Sequence, residues 1–89
     1  LMFIDLDNFK ACNDTHGHAC GDTLLQTVGA VIKKHIRASV DHAFRYGGDE
    51  FGVLLCGAPA DVSARVGERI RSEFECGNTF GTSMSVGVV

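Results

Sequence analysis

The centre of the chain reads as a hairpin. "DHAFRY" and "EFGVLLCG" have strand character, and Gly47 and Gly48 stand between them. A glycine pair between two such runs marks a tight connection of antiparallel strands. The stretches on either side then restrict the fold. Before the hairpin, Leu24, Leu25, Val28, Ile32 and Ile36 follow helical spacing within residues 21–39,. After it, Pro59 precedes a stretch in which Val62, Val66, Ile70 and Phe74 recur at i+4 as one apolar helical face,. "LMFID" at one end and "TSMSVGVV" at the other read as strands,. The order is β-α-β-β-α-β. It predicts an α+β, ferredoxin-like (split βαβ) domain with one antiparallel sheet and both helices on one face. In that arrangement the first strand lies centrally, beside the strand that follows the hairpin.

Local signals fill in the connections. "NFKACNDTHGHACG" carries the Asn, Asp and Gly of a loop,. Thr23 and Gln26 match the capping-box spacing, and Asp22 is a competing N-cap,. Lys33, Lys34, His35 and Arg37 lie near the helix end, where the helix dipole favours positive charge,.

The chain has 89 residues, 45% of them hydrophobic and 21% charged, which supports one small domain with a core,. A net charge of -3 argues against holding nucleic acid by phosphate neutralisation,. An anionic ligand would need local donors or a metal. No run approaches the roughly 20 apolar residues of a membrane span, and no signal-peptide pattern is present. Cys12, Cys20, Cys56 and Cys76 form no C-x-x-C pair,. His16 and His18 fall between the first two cysteines, but without repeated Cys/His spacing they read as neighbours of ordinary reduced thiols,. These features fit a cytoplasmic segment with no membrane contact. The abrupt strand at each end suggests a piece of a longer protein.

The acids need an explanation. Strand side chains alternate, so Phe3, Asp5 and Asp7 share a face. Asp5 follows four apolar residues, and a carboxylate there is costly without a partner. The predicted topology brings the hairpin turn towards the end of the first strand, where Asp5, Asp7, Asp49 and Glu50 could converge. Clustered carboxylates suit a hard cation such as magnesium, which usually also holds substrate phosphates. The chemistry indicated is phosphoryl or nucleotidyl transfer. Against this, D-x-D occurs by chance in many chains, and acids at turn tips are common. An EF-hand loop is excluded, because Phe9 stands where a third oxygen ligand belongs,. Lys10 could meet a phosphate or be a solvated charge. Asn13, His18 and Asp22 could read a base, though Asn13 could instead make an Asx turn and Asp22 a helix cap.

Taken in order, "FIDLDNFKACNDTHGHACGDTLL", "RYGGDEFGVLL" and "SMSVGVV" resemble the GGDEF domain of diguanylate cyclases along nearly the whole chain. The resemblance implies a palm-type fold that condenses two GTP into cyclic di-GMP with release of pyrophosphate. It implies that Asp5, the Leu6 carbonyl, Asp49 and Glu50 bind magnesium or manganese, with Asp49 also the base for the 3′-hydroxyl and Glu50 its support. It assigns guanine to Asn13 and Asp22, with His18 close to the nucleotide. It gives the phosphates to Lys10 and to backbone N–H groups around Phe9 and Lys10. Gly47 and Gly48 would let the nucleotide approach the backbone. Two domains must face each other to make two equivalent phosphodiesters, so a two-fold homodimer is implied, along with an upstream sensory or regulatory domain. The alternative is a GTP-binding regulatory module without turnover. Another palm-like nucleotidyl transferase fits the "NDTHGHACGD" loop less well.

Two departures qualify the resemblance. Many family members carry an inhibitory product site, R-x-x-D. Here Asp41 keeps the acid, but Ala38 replaces the Arg, and Arg37 is one residue early. One residue on a helix end turns a side chain by roughly 100 degrees, so weak or absent product inhibition is expected. The family's first helix, with Asp-x-Leu-Thr and Asn-Arg, and its final helix and strand, with a phosphate-binding lysine, have no counterpart in residues 1–89. These residues therefore read as a catalytic core truncated at both ends.

Overall fold

Alternation along "MFIDL" decides the two faces of the sheet: Met2, Ile4 and Leu6 are buried, and Phe3 and Asp5 are exposed,. A computed structural model describes residues 1–77 and 82–89. Along them run β1 (Met2–Leu6), α1 (Phe9–His16), α2 (His18–His35), β2 (His42–Arg45), β3 (Glu50–Leu54), α3 (Ala60–Gly77) and β4 (Met84–Val88). The sheet order is β2-β3-β1-β4, and each neighbouring pair is antiparallel. This is the α+β palm arrangement expected, with β1 central and bonded to the strand after the hairpin.

One face of the sheet carries the core. Met2, Ile4, Leu6, Phe51, Val53 and Met84 meet Leu24, Val28 and Ile32 of α2 and Ile70 and Phe74 of α3. Burying each such side chain stabilises the fold by roughly 1.5–3 kcal/mol over leaving it in water. Gly67 brings α3 close to the sheet; a Cβ there would lie 2.9 Å from Val86 Cγ1. Lys34 Nζ and His35 Nε2 of α2 each reach Glu73 Oε1 of α3 at 3.1 Å, tying the two helices together. The opposite face is open. On it Phe44 lies across Gly52, its paired residue on β3, so closely that a Cβ at Gly52 would sit 2.3 Å from the ring.

The structure departs from the expected elements between β1 and β2. The segment read as a loop is largely helical: α1 occupies Phe9–His16, and α2 begins at His18 rather than at residue 21. Asn8 turns the chain into α1 with φ 59 and ψ 26, a left-handed conformation that Asn tolerates better than most residues. Cys12 is buried and Phe9 packs on the core, so α1 is held from one side. Gly17, at φ 88, joins α1 to α2,. Asp22 and Thr23 consequently lie inside α2 and cap nothing. Thr23 Oγ1 instead donates back to the Ala19 carbonyl at 3.0 Å. At the other end α2 stops at His35, because Ile36 is extended with φ -113 and ψ 163.

Candidate active site at the hairpin and the first strand

The β1–β3 register sets Asp5 directly opposite Glu50. Residues opposite each other in an antiparallel pair project to the same face, and like charges so placed repel. The Leu6 N–H donates to the Asp49 carbonyl at 3.1 Å, fastening the turn to the end of β1. Two segments more than forty residues apart in sequence thereby form one acidic edge. Beside it lies a depression of about 480 Å³, lined by Phe3, Asp5, Tyr46, Glu50 and Ser85 among others. Among the described residues, no Lys, Arg or His forms an ion pair with Asp5, Asp49 or Glu50.

The turn is held by its own backbone and by Arg45. Tyr46 and Gly47 N–H groups both donate to the Glu50 carbonyl, at 3.0 and 3.3 Å. Arg45 donates from Nε to the Gly47 carbonyl at 3.1 Å and from Nη2 to the Gly48 carbonyl at 2.8 Å. The glycines do not serve the turn through left-handed backbone, since among the described glycines positive φ occurs at Gly17 and Gly57. Their value is space. A Cβ on Gly48 would meet nothing within 4 Å, while one on Gly47 would press on the Glu50 side chain at 3.2 Å.

Asp7 does not join the acidic edge as a free ligand. Ser83 Oγ donates to its Oδ2 at 2.7 Å and Ser85 Oγ to its Oδ1 at 2.8 Å. Its N–H also bonds the Ser83 carbonyl at 2.9 Å. Asp7 therefore fastens the exit of β1 to the segment entering β4. Among the described residues, no three His, Cys, Asp or Glu side chains stand together as a ready metal group. The pair that remains, Asp5 and Glu50, still suits a hard divalent cation, which can take one or two protein carboxylates and complete its shell with other oxygens.

The second half of the predicted site lies on α1 and α2. Phe9 and Lys10 are the first two residues of α1, and no side chain caps that end. The leading N–H groups of a helix have no partner within it and face outward as anion donors. Asn13 meets α2 at Gly21, where a Cβ would fall 1.9 Å from Asn13 Oδ1. That oxygen is buried and has no hydrogen-bond partner. Asp22, next in sequence, is exposed. Gly21 thus allows the close approach of Asn13 to α2 at the residue preceding Asp22. Lys10 and His18 are exposed; among the described residues no ion pair draws either to another predicted site residue.

At the opposite end of the β2–β3 ribbon, Asp41 is buried. Its Oδ2 accepts from Arg37 N–H at 2.8 Å and Nε at 3.0 Å. Its Oδ1 accepts from Arg37 Nη2 at 2.8 Å and Cys56 N–H at 3.1 Å. Arg37 Nη2 also reaches the Cys56 carbonyl at 2.8 Å. The Arg37 hydrogen bonds, with backbone N–H groups adding to them, hold the Asp41 carboxyl down at about 2,. Arg37 and Asp41 therefore engage each other, joining the end of α2 to the end of β3.

The profile of the diguanylate cyclase GGDEF domain matches residues 1–87. The chain belongs to the GGDEF family. Diguanylate cyclase A of Treponema denticola is 42% identical over 94 residues, covering 99% of this chain and 25% of that protein. Diguanylate cyclase DosC of Escherichia coli K12 is 45% identical over 75 residues, covering 84% of this chain and 16% of that protein. Among solved structures, the active GGEEF domain of a diguanylate cyclase from Vibrio cholerae superposes with TM-score 0.88 at 28% identity, covering 97% of this chain and 57% of that one. The GGDEF chain thus spans a quarter or less of these two curated relatives. Arg45 and Asn8 are the supporting residues that sequence reading passed over, and Asp7, expected among the converging acids, is engaged by Ser83 and Ser85 instead. Arg45 was legible only as the residue beside the glycine turn. The hydroxyl partners of Asp7 lie more than seventy residues away in sequence.

Proposed function

We propose that this chain is the catalytic core of a diguanylate cyclase, joining two GTP molecules into cyclic di-GMP and releasing pyrophosphate. The Asp5–Glu50 pairing carries this reading. A fold that places two carboxylates opposite each other, beside a depression and without a basic partner, suits a cation and its phosphate ligands. The ion would be held by Asp5, the Leu6 carbonyl, Asp49 and Glu50; magnesium fits the oxygen donors, and manganese would serve as well. When bound, it would polarise the α-phosphate and lower the pKa of the attacking hydroxyl.

The remaining roles belong to the chain's own groups. Asp49 takes the proton of the 3′-hydroxyl, and Glu50 supports the acidic edge. The N–H groups of Phe9 and Lys10, with the Lys10 ammonium, hold phosphate oxygens. Asn13, whose amide can both donate and accept, and Asp22 read the guanine edge. His18 lies against the nucleotide, and Gly47 and Gly48 leave the phosphates room. A second copy brings the other GTP across a two-fold axis, which supplies proximity and orientation.

No helix among the described residues is long and apolar enough to cross a membrane, which accords with work in the cytoplasm. Control by an attached domain or activator accords with two solved relatives, a coiled coil with the GGDEF domain of DgcB from Caulobacter crescentus and SiaD with its activator SiaC from Pseudomonas aeruginosa. The decisive experiment incubates the full-length parent protein with GTP and magnesium and separates the nucleotides by chromatography. Cyclic di-GMP that vanishes in Asp49→Ala is the expected result. GTP binding without turnover would instead leave a nucleotide-binding regulatory module.

A further inference from the structure

Cys12 on α1 and Cys20 on α2 face each other with their sulfurs 3.0 Å apart. Both are free thiols, exposed by only 8% and 7%. Neither has a part in the chemistry above, yet each immediately precedes a residue of the Asn13–Gly21 contact. We propose that Cys12 and Cys20 form a thiol–disulfide site, closed by exchange with a low-molecular-weight disulfide, whose closure weakens guanine recognition by Asn13 and Asp22. The second half of this inference rests on the guanine roles proposed above.

The geometry supports both halves. A disulfide needs an S–S distance of about 2.05 Å, so the sulfurs must approach by roughly 1 Å. Gly17, at φ 88, is the joint between their helices. The approach takes place directly beside the seat of the Asn13 amide. Its amide oxygen already fills the space that a Cβ on Gly21 would need. Drawing the helices together at the preceding residues pushes that amide out of its seat.

The chemistry balances in two exchanges. Cys12, as thiolate, attacks one sulfur of the external disulfide, releasing one thiolate and forming a mixed disulfide. Cys20 holds its proton firmly, because burial and then the hydrogen bond with Cys12 push its thiol up to about 11. It gives up that proton as it attacks the Cys12 sulfur and releases the second thiolate. The reagent's S–S bond is broken and the Cys12–Cys20 bond is made. Two electrons pass from the cysteines to the reagent, and both cysteine protons end on the released thiols. Cys56 and Cys76 are exposed and take up the reagent singly as mixed disulfides.

The test equilibrates the full chain in glutathione and glutathione disulfide, alkylates the remaining thiols and digests with trypsin. Cleavage after Lys10 and Lys33 leaves both cysteines in one peptide, residues 11–33. Closure then reads as the loss of two hydrogens and of both alkyl tags. We expect this closed peptide, and a GTP dissociation constant raised about tenfold, the scale of one lost hydrogen bond to a charged or buried partner. Dithiothreitol should reverse both changes, and Cys20→Ala, with its fold checked by circular dichroism, should show neither. An open peptide under conditions that fully modify Cys56 and Cys76 overturns the site. A closed peptide with unchanged GTP affinity overturns the coupling. If the reduced chain binds no GTP, the guanine reading fails on its own, and the disulfide site stands or falls with the peptide.

Discussion

The β2–β3 ribbon ends in acid at both extremities, and the two ends are built oppositely. At the open end, Asp41 is buried, accepts four hydrogen bonds and faces Arg37. At the turn, Asp5 and Glu50 oppose each other with no basic partner among the described residues. A carboxylate whose lone pairs are engaged by its own chain contributes to stability and has little left for a ligand. A pair of like charges left open detracts from stability and is suited to binding. The two kinds of acid in this molecule therefore differ in their partners.

The sharpest break of this contrast is at the turn. We predict that Asp49→Ala and Asp5→Asn each lower cyclase activity of the full-length protein by on the order of 100-fold or more. Asp5→Asn should at the same time leave the melting temperature unchanged or raise it slightly, since a repulsion is removed. A melting temperature that falls sharply in Asp5→Asn would place that residue with the structural acids. At the other end the signs reverse. Asp41→Ala should lower the melting temperature by on the order of 10 °C, because it removes the buried acceptor shared by Arg37 and the Cys56 N–H,. GTP affinity of the folded fraction should be retained, and calorimetric titration below the new melting point checks it.

Acid should affect Asp41 in a defined window. Its carboxyl titrates at about 2 in the fold against an ordinary value of 3.8. Because the folded value is the lower one, its contribution is fully present above about pH 4 and is lost as pH falls towards about 2. Thermal melts between pH 2 and 5 should therefore slope in the parent, with a shallower slope in Asp41→Asn. The smallest expected signal concerns cyclic di-GMP. With Ala38 in the Arg position and Arg37 committed to Asp41, no tight binding is predicted at that end. Competition that is tight and lost in Asp41→Ala would show that the ion pair opens for ligand and would erase the contrast.

Much of the fold was legible because its signals are periodic. The glycine turn, the i+4 face from Val62 to Phe74 and the alternation in "MFIDL" each report a single element. α1 was not legible. Its eight residues have too few turns to show an apolar stripe, and so short a helix is marginal without outside support. The supports are Asn8 in left-handed backbone and the burial of Cys12, both supplied by the surrounding fold. The same omission explains Asp22. Its spacing to the apolar run suits a cap, but α2 had already begun at His18, so its carboxylate is left outside the helix's own hydrogen bonding.

Apart from α1, the sequence by itself determined the element types, the acids and the glycines between them, because local backbone preference and hydrophobic period act over a few residues. Tertiary structure decided which acids are open and which are engaged. It set Asp5 against Glu50 through strand register, gave Asp7 to Ser83 and Ser85, and gave Asp41 to Arg37 and Cys56. It also placed Cys12 against Cys20 across the α1–α2 joint. Hydrogen bonds and repulsions between side chains depend on separations of a few ångströms in space, and for Asp5, Asp7 and Asp41 those separations exist only once the sheet and its helices have closed.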